Sequence, residues 1–180
     1  MPRLRIISGR YGGRFIKAPD GRTTHPMGDR VRSALFNMVD VDGKNVLDAY
    51  AGTGAVGLEA LSHGAAHVDF IENDKRATRA IEENIAVLDV DENAKLYKMG
   101  VSTFLSSKGS NPLSAKYDII FADPPYDKLS IEIISGLTKL LSPGGLFVLS
   151  WPSSKMPPRF DTVKQIVEKK YAQASIVIYQ

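Results

Sequence analysis

Two periods of apolar residues alternate along this chain. Runs of strand length at residues 45–49, 67–72, 94–99, 117–122 and 146–151 are largely apolar, as strands buried on both faces require. Between them, apolar positions recur at helical spacing in a segment ending at His63, over 75–88, briefly over 102–106, and over 130–141, where Ser142-Pro143-Gly144-Gly145 stops the helix. Such alternation predicts an α/β fold with a mostly parallel sheet covered by helices on both faces. Residues 162–170 and 174–180 break the rhythm. Two strand-like runs with a short connection predict an antiparallel hairpin on the sheet edge, bringing the sheet to seven strands.

The first part of the chain follows a different pattern. Residues 4–8 and 14–18 are short β-prone stretches around Gly9-Arg10-Tyr11-Gly12-Gly13, whose glycines suit a hairpin turn. From Asp29, Val31, Ala34, Leu35, Met38 and Val39 recur at helical spacing, with Asp29 as the expected N-cap and Gly43 beyond the end. The chain thus divides into a β-hairpin extension over 1–28 and a main domain over 29–180. There is no internal repeat or low-complexity tract.

Charge adds a polarity to this plan. Residues 1–35 carry eight Lys/Arg against two Asp/Glu, a net +6, while the remainder nets −3. A basic extension on a mildly acidic body suits a polyanionic partner engaged by one end of the molecule. With no cysteine there is no disulfide framework, and His25, His63 and His67 are too scattered for a zinc site, so no metal is expected. Charges lie where a secretory signal needs an apolar core, and no apolar run reaches the length of a membrane span of about eighteen residues. A cytoplasmic protein without membrane contact is expected.

Two turns carry the chemistry. The first strand of the main domain runs into Asp48-Ala49-Tyr50-Ala51-Gly52-Thr53-Gly54-Ala55-Val56-Gly57, a G-x-G-x-x-G pattern between strand and helix, and Glu72 follows Gly52 by twenty residues at the end of the next strand. Glycines that allow close backbone approach, with an acid placed to accept ribose hydroxyls, point to an adenosine-bearing cofactor. Asp48, just before the turn, would repel a pyrophosphate but suits the ammonium and sulfonium of S-adenosylmethionine.

The second turn is Asp123-Pro124-Pro125-Tyr126, after the fourth strand of the main domain. Two proline rings fix φ and remove backbone donors, so the turn offers carbonyls, a carboxylate and an aromatic face from a rigid base. Both turns belong at the carboxyl edge of the sheet, which juxtaposes a methyl donor with an acceptor surface for an exocyclic amine. Asp123 and the Pro124 carbonyl can accept its two protons, and Tyr126 can stack on the base. Guanine is favoured, because one carboxylate can accept N1–H and N2–H together, whereas adenine N1 is itself an acceptor. Adenine N6, a protein glutamine, or a non-catalytic role in ribosome assembly are the alternatives. His63 and His67 read as helix-end or surface groups, Trp151 as packing, and Lys169 and Lys170 as charges that discourage edge pairing.

Arg5-Ile6-Ile7-Ser8-Gly9 with Gly13-Arg14, then Asp29-Arg30-Val31-Arg32-Ser33-Ala34-Leu35-Phe36-Asn37, Gly52-Thr53-Gly54-Ala55-Val56-Gly57-Leu58-Glu59-Ala60 and the Asp-Pro-Pro-Tyr turn together resemble, in order and spacing over nearly the whole chain, the RsmD-type 16S rRNA guanine-N2 methyltransferases. The resemblance implies a Rossmann-like class I fold with S-adenosyl-L-methionine as cofactor, contacted by Asp48, Tyr50, Ala51, Gly52, Gly54, Glu72, Asn73 and Val101. The 29–37 helix start would pack near the cofactor's methionine end. Asp123, Pro124, Pro125 and Tyr126 would hold guanine, and Arg5, Arg10, Arg14, Arg30 and Arg32 would meet the phosphates of 16S rRNA or of a small-subunit assembly particle, the enzyme acting as a monomer. Two departures stand out. Pro26-Met27-Gly28 replaces the Pro-Thr-Thr or Pro-Thr-Ser of many relatives, and Gly100 replaces a polar residue that commonly faces adenine, leaving the base to the Val101 backbone N–H and apolar packing.

Overall fold

A computed structural model describes residues 3–19, 27–108 and 116–180. His25, Pro26 and part of the predicted extension lie outside them. The described residues form strands β1 (Arg3–Arg5), β2 (Phe15–Lys17), β3 (Asn45–Ala49), β4 (His67–Glu72), β5 (Ala94–Lys98), β6 (Tyr117–Ala122), β7 (Leu141–Pro152), β8 (Gln165–Lys170) and β9 (Ala174–Tyr179). The helices are α1 (Asp29–Phe36), α2 (Ala55–Ser62), α3 (Lys75–Leu88), α4 (Val101–Lys108) and α5 (Ile131–Thr138).

The main sheet has the order β5-β4-β3-β6-β7-β9-β8. Pairing is parallel from β5 through β7 and antiparallel for β7–β9 and β9–β8. Strand alternation divides the core. Val46, Ile119 and Phe121 face α1, α2 and α3, while Leu47, Ile120 and Ala122 face α4 and α5. Chain order reverses between β3 and β6, so the carboxyl ends of those neighbours form the crevice where ligands of open α/β sheets bind. Both turns singled out above leave from it.

The basic hairpin shares the main core through Ile6 and Ile16, 0% and 2% exposed. Its pairing stops sooner than the sequence pattern predicts because the Ile7 and Ser8 N–H groups donate to the buried carboxylate of Glu59 on α2, at 2.9 Å each to Oε2 and Oε1. Asn84 on α3 clamps the other strand, accepting from Lys17 N–H at 2.8 Å and donating to Lys17 O at 2.9 Å. At the tip, Gly9 has φ +78° and a Cβ there would collide with the Ser62 carbonyl, so only glycine allows this approach.

Other boundaries shift for local reasons. Gly28, not Asp29, is the N-cap of α1; Asp29 is its first helical residue, and its carboxylate accepts from Arg32 at 3.1 Å. α5 ends at Thr138, and Leu141 already pairs with Tyr117. Residues 142–145 then bulge opposite Asp118 alone before Leu146 pairs with Ile119. α4 is longer than predicted, and β8 begins at Gln165. No helix of the described residues is long and apolar enough to cross a membrane.

Candidate active site

The turn after β3 is built from left-handed backbone. Tyr50, Gly52 and Gly54 have φ of 64°, 54° and 75°, and Tyr50 is the one of these that pays a steric penalty for it. The turn is held by Ala51 N–H to Ile71 O at 2.9 Å and Gly54 N–H to Ala51 O at 2.7 Å. Glu72, at the end of β4, braces it from the side. Its Oε2 accepts from Gly52 N–H at 2.7 Å, and its Oε1 from the Asn73 and Asp74 N–H groups at 2.7 and 2.8 Å. A carboxylate has about four acceptor positions, so one remains on Oε2 for a hydroxyl of a bound ribose.

Beyond Glu72 the surface is open. A Cβ at Gly100 would meet only the Asn73 amide at 3.7 Å and the Ser102 hydroxyl at 4.0 Å, which leaves a planar ring room over Gly100 at the start of α4. Val101 is 5% exposed, so it offers this ring backbone and an apolar edge. The residues present therefore fit an adenosine-bearing cofactor lying from Glu72 across the glycine turn.

Asp48 lies beneath the turn, 4% exposed, with Oδ2 accepting from Gly57 N–H in the first turn of α2 at 2.8 Å. Burial pushes its carboxyl up to about 8; the Gly57 bond opposes this, and the nearby Asp123 and Glu72 add to it. The sign for stability follows. The folded chain prefers the protonated acid, so stability falls as pH rises from the ordinary carboxylate range toward 8, and Asp48→Asn should stabilise the fold at pH 8 by an amount on the order of a few kcal/mol. A cation bound opposite Asp48 favours the carboxylate. Binding of S-adenosylmethionine should therefore release a proton near pH 7 and tighten about tenfold from pH 6.5 to 8.5. Calorimetry in buffers of different ionisation enthalpy checks this, with Asp48→Asn abolishing the proton release.

The Asp-Pro-Pro-Tyr turn stands beside Asp48 because β6 pairs directly with β3, Asp48 opposite Phe121. Asp123, half-buried, has its carboxyl raised by burial, which the Ser150 hydroxyl on the same cavity wall partly offsets. Lys128 N–H donates to the Pro125 carbonyl at 3.0 Å, whereas no hydrogen bond among the described residues reaches the carbonyl of buried Pro124. The Tyr126 hydroxyl lies 2.8 Å from Ser150 Oγ, which fixes the ring at the mouth of the crevice. A small cavity joins the two turns, with Asp48, Asp123 and Ser150 among its walls and Met27 and Leu35 closing it from the α1 side. A larger hollow of about 260 Å³ between Phe36, Asp40 and His63 lies at the amino edge of the sheet and has no part in this arrangement.

The arginines separate into different environments. Arg5 and Arg30 are exposed, Arg30 at the start of α1. Arg10 and Arg14 are exposed at the hairpin tip, their guanidinium groups over the Tyr11 ring at 5.4 and 5.9 Å. The tip docks against Ser62 O and Val87 O near the C-terminal ends of α2 and α3, and so at the opposite edge of the sheet from Asp123. The expectation for Arg32 is corrected: it is 0% exposed, pairs with Glu59 at 3.3 Å and donates to the Arg5 and Met27 carbonyls, so it holds the fold and cannot reach a phosphate.

Sequence reasoning missed Ser150, a lone hydroxyl inside an apolar run, and Glu59, which reads as an ordinary helix acid. His63 is the helix-end group the sequence suggests, the C-cap of α2. His63 stacks on Phe36 at 5.1 Å and bonds Ser8 Oγ at 2.9 Å, helping to fasten the hairpin.

A seven-stranded sheet of this order, with a glycine turn braced by Glu72 on one side of the crevice and the Asp-Pro-Pro-Tyr turn on the other, is that of a Rossmann-like class I methyltransferase that depends on S-adenosylmethionine. Comparison with known proteins narrows the class. The family described as "Conserved hypothetical protein 95" matches residues 4–180, and the chain belongs to it. It is similar to "Putative rRNA methyltransferase YlbH" of Bacillus subtilis, 30% identical over 98% of each chain. It is also similar to "Ribosomal RNA small subunit methyltransferase D" of Haemophilus influenzae, 31% identical over 98% of this chain and 93% of the other. Among solved structures, "Putative methyltransferase yhhF" from Escherichia coli superposes with a TM-score of 0.87 at 32% identity, covering 99% of this chain and 98% of the other.

Proposed function

We infer that this enzyme methylates the exocyclic N2 of a guanine in small-subunit ribosomal RNA. The observation that carries the reading is the pairing of the Asp123 carboxylate with the Pro124 carbonyl at the carboxyl end of β6, beside the glycine turn. Bound S-adenosylmethionine supplies an electrophilic methyl group and leaves as a neutral thioether. The rest is done by the chain. A guanine amine is a poor nucleophile because its lone pair is delocalised into the ring. Asp123 and the Pro124 carbonyl, by accepting its two N–H bonds, favour the pyramidal nitrogen that can attack and stabilise the charge developing on it, and the Asp123 carboxylate is placed to take the N–H proton that the methylated nitrogen must lose. Tyr126 offers its ring to the base, which must be turned out of its stack to enter the crevice.

The printed names of the relatives support an RNA substrate, as does the basic hairpin. Arg30 near the crevice and Arg5, Arg10 and Arg14 along the extension over 1–28 would meet phosphates. Acting on ribosomal RNA, the enzyme would work in the cytoplasm, as a monomer with a single crevice. The test is to supply labelled S-adenosylmethionine with RNA and protein from cells lacking the enzyme. Label in RNA alone supports the reading; label in protein overturns it in favour of glutamine chemistry.

A further inference from the structure

The two faces of the basic hairpin differ. Ile6 and Ile16 join the core, whereas Phe15 and Lys17 on either side of Ile16 turn to solvent. Phe15 is 60% exposed and is the only exposed aromatic side chain among the described residues. A single apolar group on a surface needs no explanation by itself; what sets Phe15 apart is its frame. Arg5 stands directly opposite it across the strand pair, exposed on the same face, at the spacing of about 5 Å usual for such neighbours. Arg14, also exposed, precedes Phe15 and donates to the Val87 carbonyl on α3 at 3.2 Å, and Val87 is itself 56% exposed. Among the described residues Arg5, Arg10 and Arg14 have no ion-pair partner. Glu83, on the turn of α3 that faces β2, is already taken by Lys17 at 2.8 Å and Arg79 at 3.2 Å. A bare ring thus lies within uncompensated positive charge.

We propose that Phe15 is a stacking platform for one unpaired base of the RNA, with Arg5 and Arg14 on the phosphates to either side. Its purpose rests on the RNA substrate argued above, on which it marks a second nucleotide besides the target. Every base has a π-face to lay on a ring, but a base inside a duplex is already stacked on both sides, so the platform takes single-stranded or loop RNA. The ring is presented by a rigid support. Glu59 holds the Ile7 and Ser8 N–H groups after β1, and Asn84 holds Lys17 on β2, so little order remains to be imposed when a base arrives. The target guanine is a different base. α3 descends from the carboxyl edge of the sheet, and β2 climbs it by one turn, from Arg14 beside Val87 to Lys17 beside Glu83. Phe15 therefore lies on the flank below the crevice, and a strand laid on it along β2 runs toward the crevice. A nucleotide stacked there sets the register in which the guanine is offered to Asp123.

The test is binding of a fluorescein-labelled, unstructured single-stranded RNA of about twelve nucleotides to the whole protein, by anisotropy at several salt concentrations and without methyl donor. Phe15→Leu should weaken binding about tenfold at every salt concentration and leave the slope of log Kd against log salt unchanged, because stacking releases no counterions. Arg5→Gln should weaken binding and lower that slope by about 0.7, the share of one phosphate contact on a single strand. Phe15→Trp should bind at least as tightly as wild type, and a duplex of the same length should not distinguish the Phe15 variants. Wild-type affinity in Phe15→Leu, tryptophan behaving like leucine, or an equal loss on the duplex overturns the platform. So does a wild-type dimer that Phe15→Leu turns into a monomer, which would make Phe15 a contact between copies of the chain. The exposed ring leaves the fold intact when exchanged, and an unchanged affinity for S-adenosylmethionine checks this. No methyl transfer enters the measurement. RNA that binds through Phe15 but gains no methyl on guanine N2 sinks the functional reading alone, whereas guanine methylation by a protein indifferent to Phe15→Leu sinks the platform alone.

Discussion

Asp123→Ala is expected to slow methyl transfer by about a hundred- to a thousandfold while leaving the affinity for S-adenosylmethionine within about threefold of wild type. The loss is large because the acceptor acts most strongly as charge develops on the attacking nitrogen, inside a crevice where water cannot substitute. Cofactor affinity is preserved because Glu72 and the glycine turn are braced by backbone bonds that do not involve Asp123. Asp123→Asn should retain part of the activity, since the amide keeps one acceptor oxygen but turns a donor toward an N–H. Single-turnover kinetics at saturating cofactor, with calorimetry for binding, check both. A variant that loses rate and cofactor affinity in parallel would assign Asp123 to the cofactor instead.

Arg32→Met should destabilise the fold by about 3–5 kcal/mol, the usual cost of removing one partner from a buried pair. Arg32 and Glu59 are 0% and 1% exposed, and Glu59 also receives the Ile7 and Ser8 N–H groups that fasten the hairpin to α2. Without the guanidinium, Glu59 keeps a buried charge with two backbone donors, and the Arg5 and Met27 carbonyls lose theirs. Pairing Arg32→Met with Glu59→Gln should cost less than the sum of the two, because the second change removes the stranded charge. Denaturant unfolding of the four proteins in the cycle measures this. Additive costs would show that the two side chains do not act as a unit.

Much of this was legible in the sequence because it rests on local chemistry. Continuous apolar runs locate the central strands β3 and β6, since both of their faces are buried, and G-x-G-x-x-G marks a turn that needs positive φ at Gly52 and Gly54. Asp-Pro-Pro-Tyr announces a rigid acceptor turn for the same reason. What escaped depends on tertiary partners. Arg32 looks like one more cation of a basic segment until Glu59, twenty-seven positions away, is seen to take it into the core. The place of the hairpin on the body is equally silent in the sequence, because it is set by distant partners: Ser62 O takes the Arg10 N–H and Val87 O the Arg14 guanidinium. Ser150 gave no signal, because the Tyr126 hydroxyl reaches it only when β7 pairs with β6.

Transfer of a methyl group to guanine N2 between the two turns is open to a direct measurement. Small ribosomal subunits and their naked RNA, both lacking guanine-N2 methylation, should be incubated with the enzyme and labelled S-adenosylmethionine and then digested to nucleosides. Label is expected in N2-methylguanosine from at least one of the two substrates and is expected to be lost in Asp123→Ala. Label in N6-methyladenosine, or none in RNA despite measurable cofactor binding, would contradict guanine-N2 transfer.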